Sequence, residues 1–515
     1  MHHCLRITEI LLEIFEFVFI ISETGRPDLA RLARTCRSFS EPALDVLWRD
    51  QSSLLPLVMC FPQHILDLFD IVYNHGAFTT QVKFRTVPSV QDWERPLVYA
   101  KRIRVMTTPA DILEIATHEL HSSVFLTLHR SLPYKPLLPN LRHLNYSLVT
   151  SDPRIYVGDA VPSLFTWCSP NLLQSLQFGT NYGRASDDNV QFLALLATCC
   201  AQIEFLCVSL LGQRSLGLPV AENLTTFASL QRLKSLDFTV VDSYSAADSY
   251  IGPLFTNPPN GFSSIINLRL NCRFASMVVH IFKAIHSTKL RDINICFPND
   301  VDIANLREVL ADIASRPSWE QSMRSISLTA RSCFMTTNDA RGLLTFNHLR
   351  HLSLDNIGLV LDDHLLNDMA KSWPMLEQLS IISPRWPTPS KATLNGLVSL
   401  TEHCPHITFL DLGLDAREIP PSANTADTSR HEFREGPRKD VVLVIDTLSG
   451  IRDATAVASF LSSLLPRISL HIRDSRGGLL LWRKVAEKVN GNREVHRPPR
   501  ISWNPWESIL SARGR

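Results

Sequence analysis

Leu349-Arg350-His351-Leu352-Ser353-Leu354 carries the spacing apolar-x-x-apolar-x-apolar, and much of the chain repeats it. The same spacing opens at Leu141, Leu173, Ile203, Leu233, Ile265, Leu290, Met323, Leu349, Leu376 and Ile407, about 30 residues apart on average. A repeat of this length marks a supersecondary unit that buries its apolar face only against its neighbours, so the pattern predicts a solenoid. Strand alternation sends Leu352 and Leu354 inward and His351 and Ser353 outward, with Asp355 continuing the outer row.

Between these strands, apolar residues recur at helical spacing: Val190, Leu193, Ala194 and Ala197; Val278, Ile281, Phe282 and Ile285; Leu306, Val309, Leu310 and Ile313; Leu365, Leu366, Met369 and Trp373. Asp188, Asp302 and Asp362 stand where N-caps belong. A strand and a helix at this period resemble the longer leucine-rich repeats. That resemblance implies an α/β fold, a curved parallel sheet lining a concave face with helices outside. The regular asparagine of those repeats is missing and the period varies, so irregular curvature is expected. Residues 99–106 read as a degenerate first strand.

Projecting the alternation onto every copy gives two outward rows of mixed polar character with a few aromatics and both charge signs. Such a surface suits a protein partner better than a run of phosphates. Phe205, Asp237, Arg269, Asp292, His351, Phe409 and Asp411 are the candidate substrate-binding residues from these rows.

At the N-terminus, Ile10, Leu11, Ile14, Phe15 and Val18 follow a helical period after Thr8. A second helix is expected near Asp28, carrying Leu29, Leu32, Ala33, Cys36 and Phe39, and a third opening at Pro42. Three short helices bury little surface by themselves, so some of these side chains need a partner. Ile7-Thr8-Glu9-Ile10-Leu11-Leu12-Glu13-Ile14-Phe15, the stretch from Leu29 through Phe39, and Ala43-Leu44-Asp45-Val46-Leu47-Trp48-Arg49 resemble the successive helices of an F-box. The family usually has proline where Thr8 stands. The resemblance implies docking on the Skp adaptor of a cullin ubiquitin ligase, with Ile7, Ile10, Leu11, Ile14, Phe15, Leu29, Leu32, Cys36, Phe39, Leu47 and Trp48 as the adaptor face and the motif's own small core. A cap on the solenoid is the other reading of these helices.

The expected organisation is an F-box trihelix at 1–52, a helical linker at 53–98, the solenoid at 99–472 with a polar insertion at 415–440, and a cap helix with a basic tail at 473–515. Lys plus Arg number 51 and Asp plus Glu 50, which offers no electrostatic reason for nucleic acid or membrane as a partner. Eleven cysteines without a C-x-x-C pair suit a reducing compartment, cytoplasmic or nuclear, with the adjacent Cys199 and Cys200 as packing residues. Glu13 and Glu16 interrupt the apolar run at 10–21, against a signal peptide.

His118-Glu119-Leu120-His121 sets its histidines three apart where a zinc hydrolase needs four, and it reads as a helix edge. His403-Cys404-Pro405-His406 sits where a helix turns into a strand. No nucleotide-binding or hydrolase motif occurs, and no catalytic residue, cofactor or metal is assigned. The whole chain resembles fungal (basidiomycete-type) F-box proteins with C-terminal leucine-rich repeats. This implies a substrate receptor of a ubiquitin ligase; the alternative is a leucine-rich-repeat scaffold that joins no ligase.

Overall fold

The computed structural model describes residues 5, 7–21, 25–72, 78–107, 118–121, 123–148, 167–180, 196, 199–211, 224–241, 261–273, 275–300, 302–382, 390–420, 440–445, 449–473 and 480–491. The helix expected around Val190, most of the polar insertion and the basic tail lie outside these residues. The chain divides into two units, Met1–Leu233 with Ser243–Ser245, and Lys234–Asp242 with Ala246–Arg515.

The first unit opens with α1 (Thr8–Ile21), α2 (Gly25–Leu32) and α3 (Arg37–Arg49). Their core is Leu11, Phe15, Leu29, Ala43 and Val46. A Cβ on Gly25 would lie 2.8 Å from the Phe19 carbonyl oxygen, so a side chain there would force α2 away from the end of α1. Pro42, expected to open the third helix, is buried inside α3 instead. Its fixed φ is helical, so the chain passes through it at the loss of one backbone donor.

β1 (Asp50–Gln51) follows α3 directly and pairs in parallel with β4 (Val105–Thr107). The stretch 53–98 is not the helical linker expected. Between the short helices Leu55–Val58 and Glu94–Ala100 lie β2 (Leu66–Val72) and β3 (Phe78–Phe84), paired antiparallel. Pro56 and Pro62 discourage a long helix, and the aromatic and β-branched residues Phe69, Ile71, Thr79, Thr80 and Val82 favour a pleated pair. β5 (His118–Leu120) joins β3 in parallel, so the first three residues of the expected helix edge at 118–121 form a strand.

β4 then leads into β6 (His143–Leu148), β7 (Ser175–Thr180) and β8 (Phe205–Leu211), all parallel, with His143 opposite Ser175 and Ser175 opposite Phe205. In the second unit β9 (Ser235–Val241), β10 (Asn267–Cys272), β11 (Asp292–Asp300), β12 (Ser325–Met335), β13 (His351–Leu359), β14 (Gln378–Ile382), β15 (Phe409–Leu412), β16 (Val441–Ile445) and β17 (Ile468–Ile472) pair in parallel, in sequence order.

Each of the ten apolar openers is buried, and the strand begins two residues later every time. The inward residues, such as Leu352 and Leu354, pack towards helices that include Ala275–Ala284, Ile303–Ala314, Asp363–Ser372 and Leu394–His403. Asp302 accepts from the Ala304 amide at 3.2 Å and Asp362 from the Leu365 amide at 2.8 Å, so both expected N-caps form. Strands on one face and helices on the other make a leucine-rich-repeat-like α/β solenoid.

The last strand is closed by a side chain. In the helix Leu480–Asn490, Asn490 accepts from the Leu470 amide through Oδ1 and donates to the Leu470 carbonyl through Nδ2, both at 2.8 Å. This occupies two backbone groups of β17 that a further strand would otherwise take. Leu354→Ala is expected to cost about 2–5 kcal/mol in urea unfolding, and Asn490→Ala about 1–3 kcal/mol by orphaning those two groups. No loss in either variant would contradict this packing.

Candidate protein-binding surfaces

The trihelix divides its large apolar residues between a core and an open stripe. Leu11, Phe15 and Leu29 are fully buried, and Leu32, Phe39 and Leu47 pack against them. Phe15 meets Phe39 edge-on, with ring centroids 5.5 Å apart. These residues, placed in the adaptor face by resemblance, chiefly hold the helices together. Cys36 precedes α3, its sulfur 3.2 Å from the Ser38 hydroxyl.

Ile7, Ile10 and Ile14 are exposed, and the stripe continues through Phe17, Ile20 and Ile21, which are 63–70% exposed. Their spacing of three and four residues places them along one side of α1. The adaptor residues taken from the resemblance end at Phe15 in this helix, and the helical period read from the sequence continued to the half-buried Val18, so Phe17, Ile20 and Ile21 were not singled out.

Trp48 has a different neighbour. It stacks on Tyr99 at 4.5 Å, close to where Arg102 donates to Glu41 at 2.5 Å and also pairs with Asp45. The Arg26 guanidinium donates to the Asp50 carbonyl at 2.6 Å. These contacts and the β1–β4 pairing fasten α3 to the first strands of its unit, turning Trp48 away from a free face.

Each unit also has a sheet face opposite its helices. Phe205 lies on it in the first unit, half-buried at the start of β8. The other six candidates share the face in the second unit, on β9, β10, β11, β13 and β15. Asp237 faces Arg269 across the ladder, with 3.7 Å between carboxylate and guanidinium, while Asn267 stands opposite Asp292. His351, Gln378 and Phe409 form one rung, and Ser353, Ser380 and Asp411 the next.

These side chains are more enclosed than a solvated strand face. Burial pushes the Asp237 carboxyl up to about 6, with Arg269 acting in the opposite direction. Burial likewise raises Asp292 to about 6, against Arg291 and Arg324. His351 is lowered by burial despite Glu377 at 3.8 Å. Asp355 is raised by burial, and Arg473 is the main opposing charge. Asp411 is buried and pairs with Arg473, one residue beyond β17. Sequence reasoning did not single out Arg473, although it continues the alternation of Ser469 and His471.

Among the described residues no group of three His, Cys, Asp or Glu side chains could hold a metal ion. Of the two cysteines expected to be packing residues, Cys200 is buried, its thiol pushed up to about 12 by desolvation, whereas Cys199 is exposed. No helix among the described residues is long and apolar enough to cross a membrane.

With these surfaces in view, residues 8–52 match the F-box-like family. No curated protein matches the chain. Among solved structures, an internalin (inlF) from Listeria monocytogenes str. 4b F2365 is similar at 13% identity and a TM-score of 0.33, covering 77% of this chain and 87% of its own. The Rad7 and Elc1 complex of yeast provides another similar chain at 12% identity and a TM-score of 0.30, covering 58% of this chain and 74% of its own.

The raised carboxylates give the open face a pH signature. Asp237 and Asp292 are held protonated in the folded chain between their ordinary value of 3.8 and about 6. The folded state therefore binds more protons in that window, and the stability they contribute falls as pH rises through it. Asp237→Asn and Asp292→Asn are expected to exceed wild type at pH 8 by up to about 3 kcal/mol each, with little difference near pH 4. Urea midpoints at the two pH values check this; a variant weaker than wild type at pH 8 would refute the assigned burial cost.

Proposed function

We propose that this chain is a substrate-recognition subunit of an SCF-type cullin ubiquitin ligase. The trihelix docks a Skp-type adaptor, and the open face of the repeats binds a protein substrate. The ligase chemistry belongs to the partners, and the chain itself contributes no catalytic group, metal or cofactor. Its place of action on this reading is the cytoplasm or nucleus.

The observation that carries the reading is the apolar stripe on α1, within the segment that matches the F-box-like family. Five large side chains of α1, Ile10, Ile14, Phe17, Ile20 and Ile21, present a row to solvent, with the exposed Ile7 just ahead of them, although the same three helices already possess a closed core. A row of this kind marks a protein-interaction surface. The mixed polar and aromatic composition of the repeat face supports a protein as the second partner.

The alternative, a repeat scaffold with an N-terminal cap, finds support in the pairing of β1 with β4 and the Trp48–Tyr99 stack. The two roles use different sides of the trihelix, which makes them separable. Ile14→Asp and Phe17→Asp in the full chain are expected to weaken binding to a purified Skp-type adaptor at least tenfold, about 1.4 kcal/mol, with melting temperatures close to wild type. Adaptor binding unchanged in both folded variants would leave the cap as the better account.

A further inference from the structure

Three arginines stand side by side where β11, β12 and β13 begin. Arg291, Arg324 and Arg350 each follow a buried opener and precede the first residue of a strand. The Arg324 amide donates to the Arg291 carbonyl and the Arg350 amide to the Arg324 carbonyl, both at 2.8 Å, so the three form one row across neighbouring strands. Adjacent members of such a row lie about 4.8 Å apart along the sheet. Glu377 continues it on the next strand, its amide on the Arg350 carbonyl and its carboxylate 3.1 Å from the Arg350 guanidinium.

The core does not require arginine at this position, where other copies hold Gln174, Glu204, Ile266 or Thr408. Like charges directly opposite one another on adjacent strands destabilise a sheet. Arg324 is half-buried, and burial, followed by Arg350 and Arg291, lowers its pKa against the pull of Asp292. The guanidinia differ in what they hold. Arg324 donates to main-chain carbonyls, those of Gln321 at 3.2 Å, His348 at 3.3 Å and Met323 at 3.4 Å. Arg291 is exposed and, among the described residues, its side chain makes no hydrogen bond or ion pair. Asp292 feels both Arg291 and Arg324 but forms an ion pair with neither. A carboxylate on the next strand therefore answers Arg350, and nothing equivalent answers the other two.

From this row we infer that Arg291, Arg324 and Arg350 form a docking rim for an acidic segment of the protein substrate, whose aspartate or glutamate side chains pair with the guanidinia as Glu377 pairs with Arg350. This deepens the substrate-receptor reading and rests on it. A guanidinium is a planar fork of donors that matches a carboxylate two bonds at a time. Acidic residues three or four apart on a helix lie about 5–6 Å from each other, close to the spacing of the row, so successive carboxylates can meet successive arginines. Ser325 and His351, each the next residue after an arginine of the row, join the rim to the open face of the strands. Glu377 at one end and Asp292 beside the row repel a continuous run of phosphates, which favours a short acidic segment over nucleic acid.

The test uses the full chain and fluorescent peptides of one alanine-rich helical background that carry glutamate, glutamine or lysine at every fourth position. Fluorescence anisotropy is expected to show the glutamate peptide binding at least tenfold more tightly than the glutamine peptide, and the lysine peptide weakest. Arg291→Gln is expected to weaken glutamate-peptide binding severalfold at an unchanged melting temperature, because the side chain holds nothing in the fold. Glu377→Gln frees Arg350 and is expected to tighten that binding severalfold, a gain that a misfolded chain cannot give. Lys371→Gln, at an exposed position on the helix Asp363–Ser372, removes the same charge away from the rim and is expected to leave binding unchanged.

Equal binding of the glutamate and glutamine peptides, equal losses in Arg291→Gln and Lys371→Gln, or no gain from Glu377→Gln in a folded chain would overturn the assignment. So would an oligouridylate that binds more tightly than the glutamate peptide and depends on Arg291. Adaptor binding measured on the same preparations separates the two levels. A chain that holds a Skp-type adaptor but does not discriminate between the peptides loses this site and keeps its proposed place in a ligase.

Discussion

One buried side chain two residues ahead of each repeat strand fixes most of this structure. At Leu141, Leu233, Met323, Leu349 and the other openers, that residue is sealed from water, and in copies such as those opened by Leu233, Met323 and Leu349 the next apolar pair is buried with it. Parallel pairing then aligns the copies, so the residues between the apolar ones fall into straight rows across the sheet. A slip of one residue in any copy would turn its apolar set to solvent and its polar row into the core, which is why the register holds while the period varies. The composition of the open face is therefore a consequence of the core.

That constraint also explains the electrostatics. Alternation places Asp237, Asp292, Asp355 and Asp411 on a sheet whose neighbouring strands shield them from water. Arg269 answers Asp237, Arg291 and Arg324 answer Asp292, and Arg473 answers Asp355, yet burial is the largest cause of each of these shifts. The trihelix follows a different economy. Its core is complete with Leu11, Phe15, Leu29, Ala43 and Val46, yet large apolar residues remain along the outside of α1.

The repeat strands were legible because period-two alternation joined to a fixed apolar spacing is a strong signal, and two helix starts were legible in Asp302 and Asp362. The antiparallel pair at 66–84 was not. Its strand residues Leu66, Leu68, Phe69, Ile71 and Val72 also suit a helix by apolar content, and the decision between the two rests on tertiary pairing with Thr79, Thr80 and Val82. Within the trihelix, resemblance named the apolar residues but could not divide core from surface, because Leu11 and Ile10 are equally apolar and differ only in the direction they face. Arg473 escaped because its role depends on Asp411, 62 residues earlier and two strands away.

The central claim, that α1 offers an apolar face to an adaptor while α3 is fastened to the repeats, is tested most directly by amide hydrogen exchange of the full chain with and without a purified Skp-type adaptor. The account predicts added protection over Thr8–Ile21, with exchange across β12 to β14 unchanged. Protection that appears on the repeat strands and spares Thr8–Ile21 would contradict it.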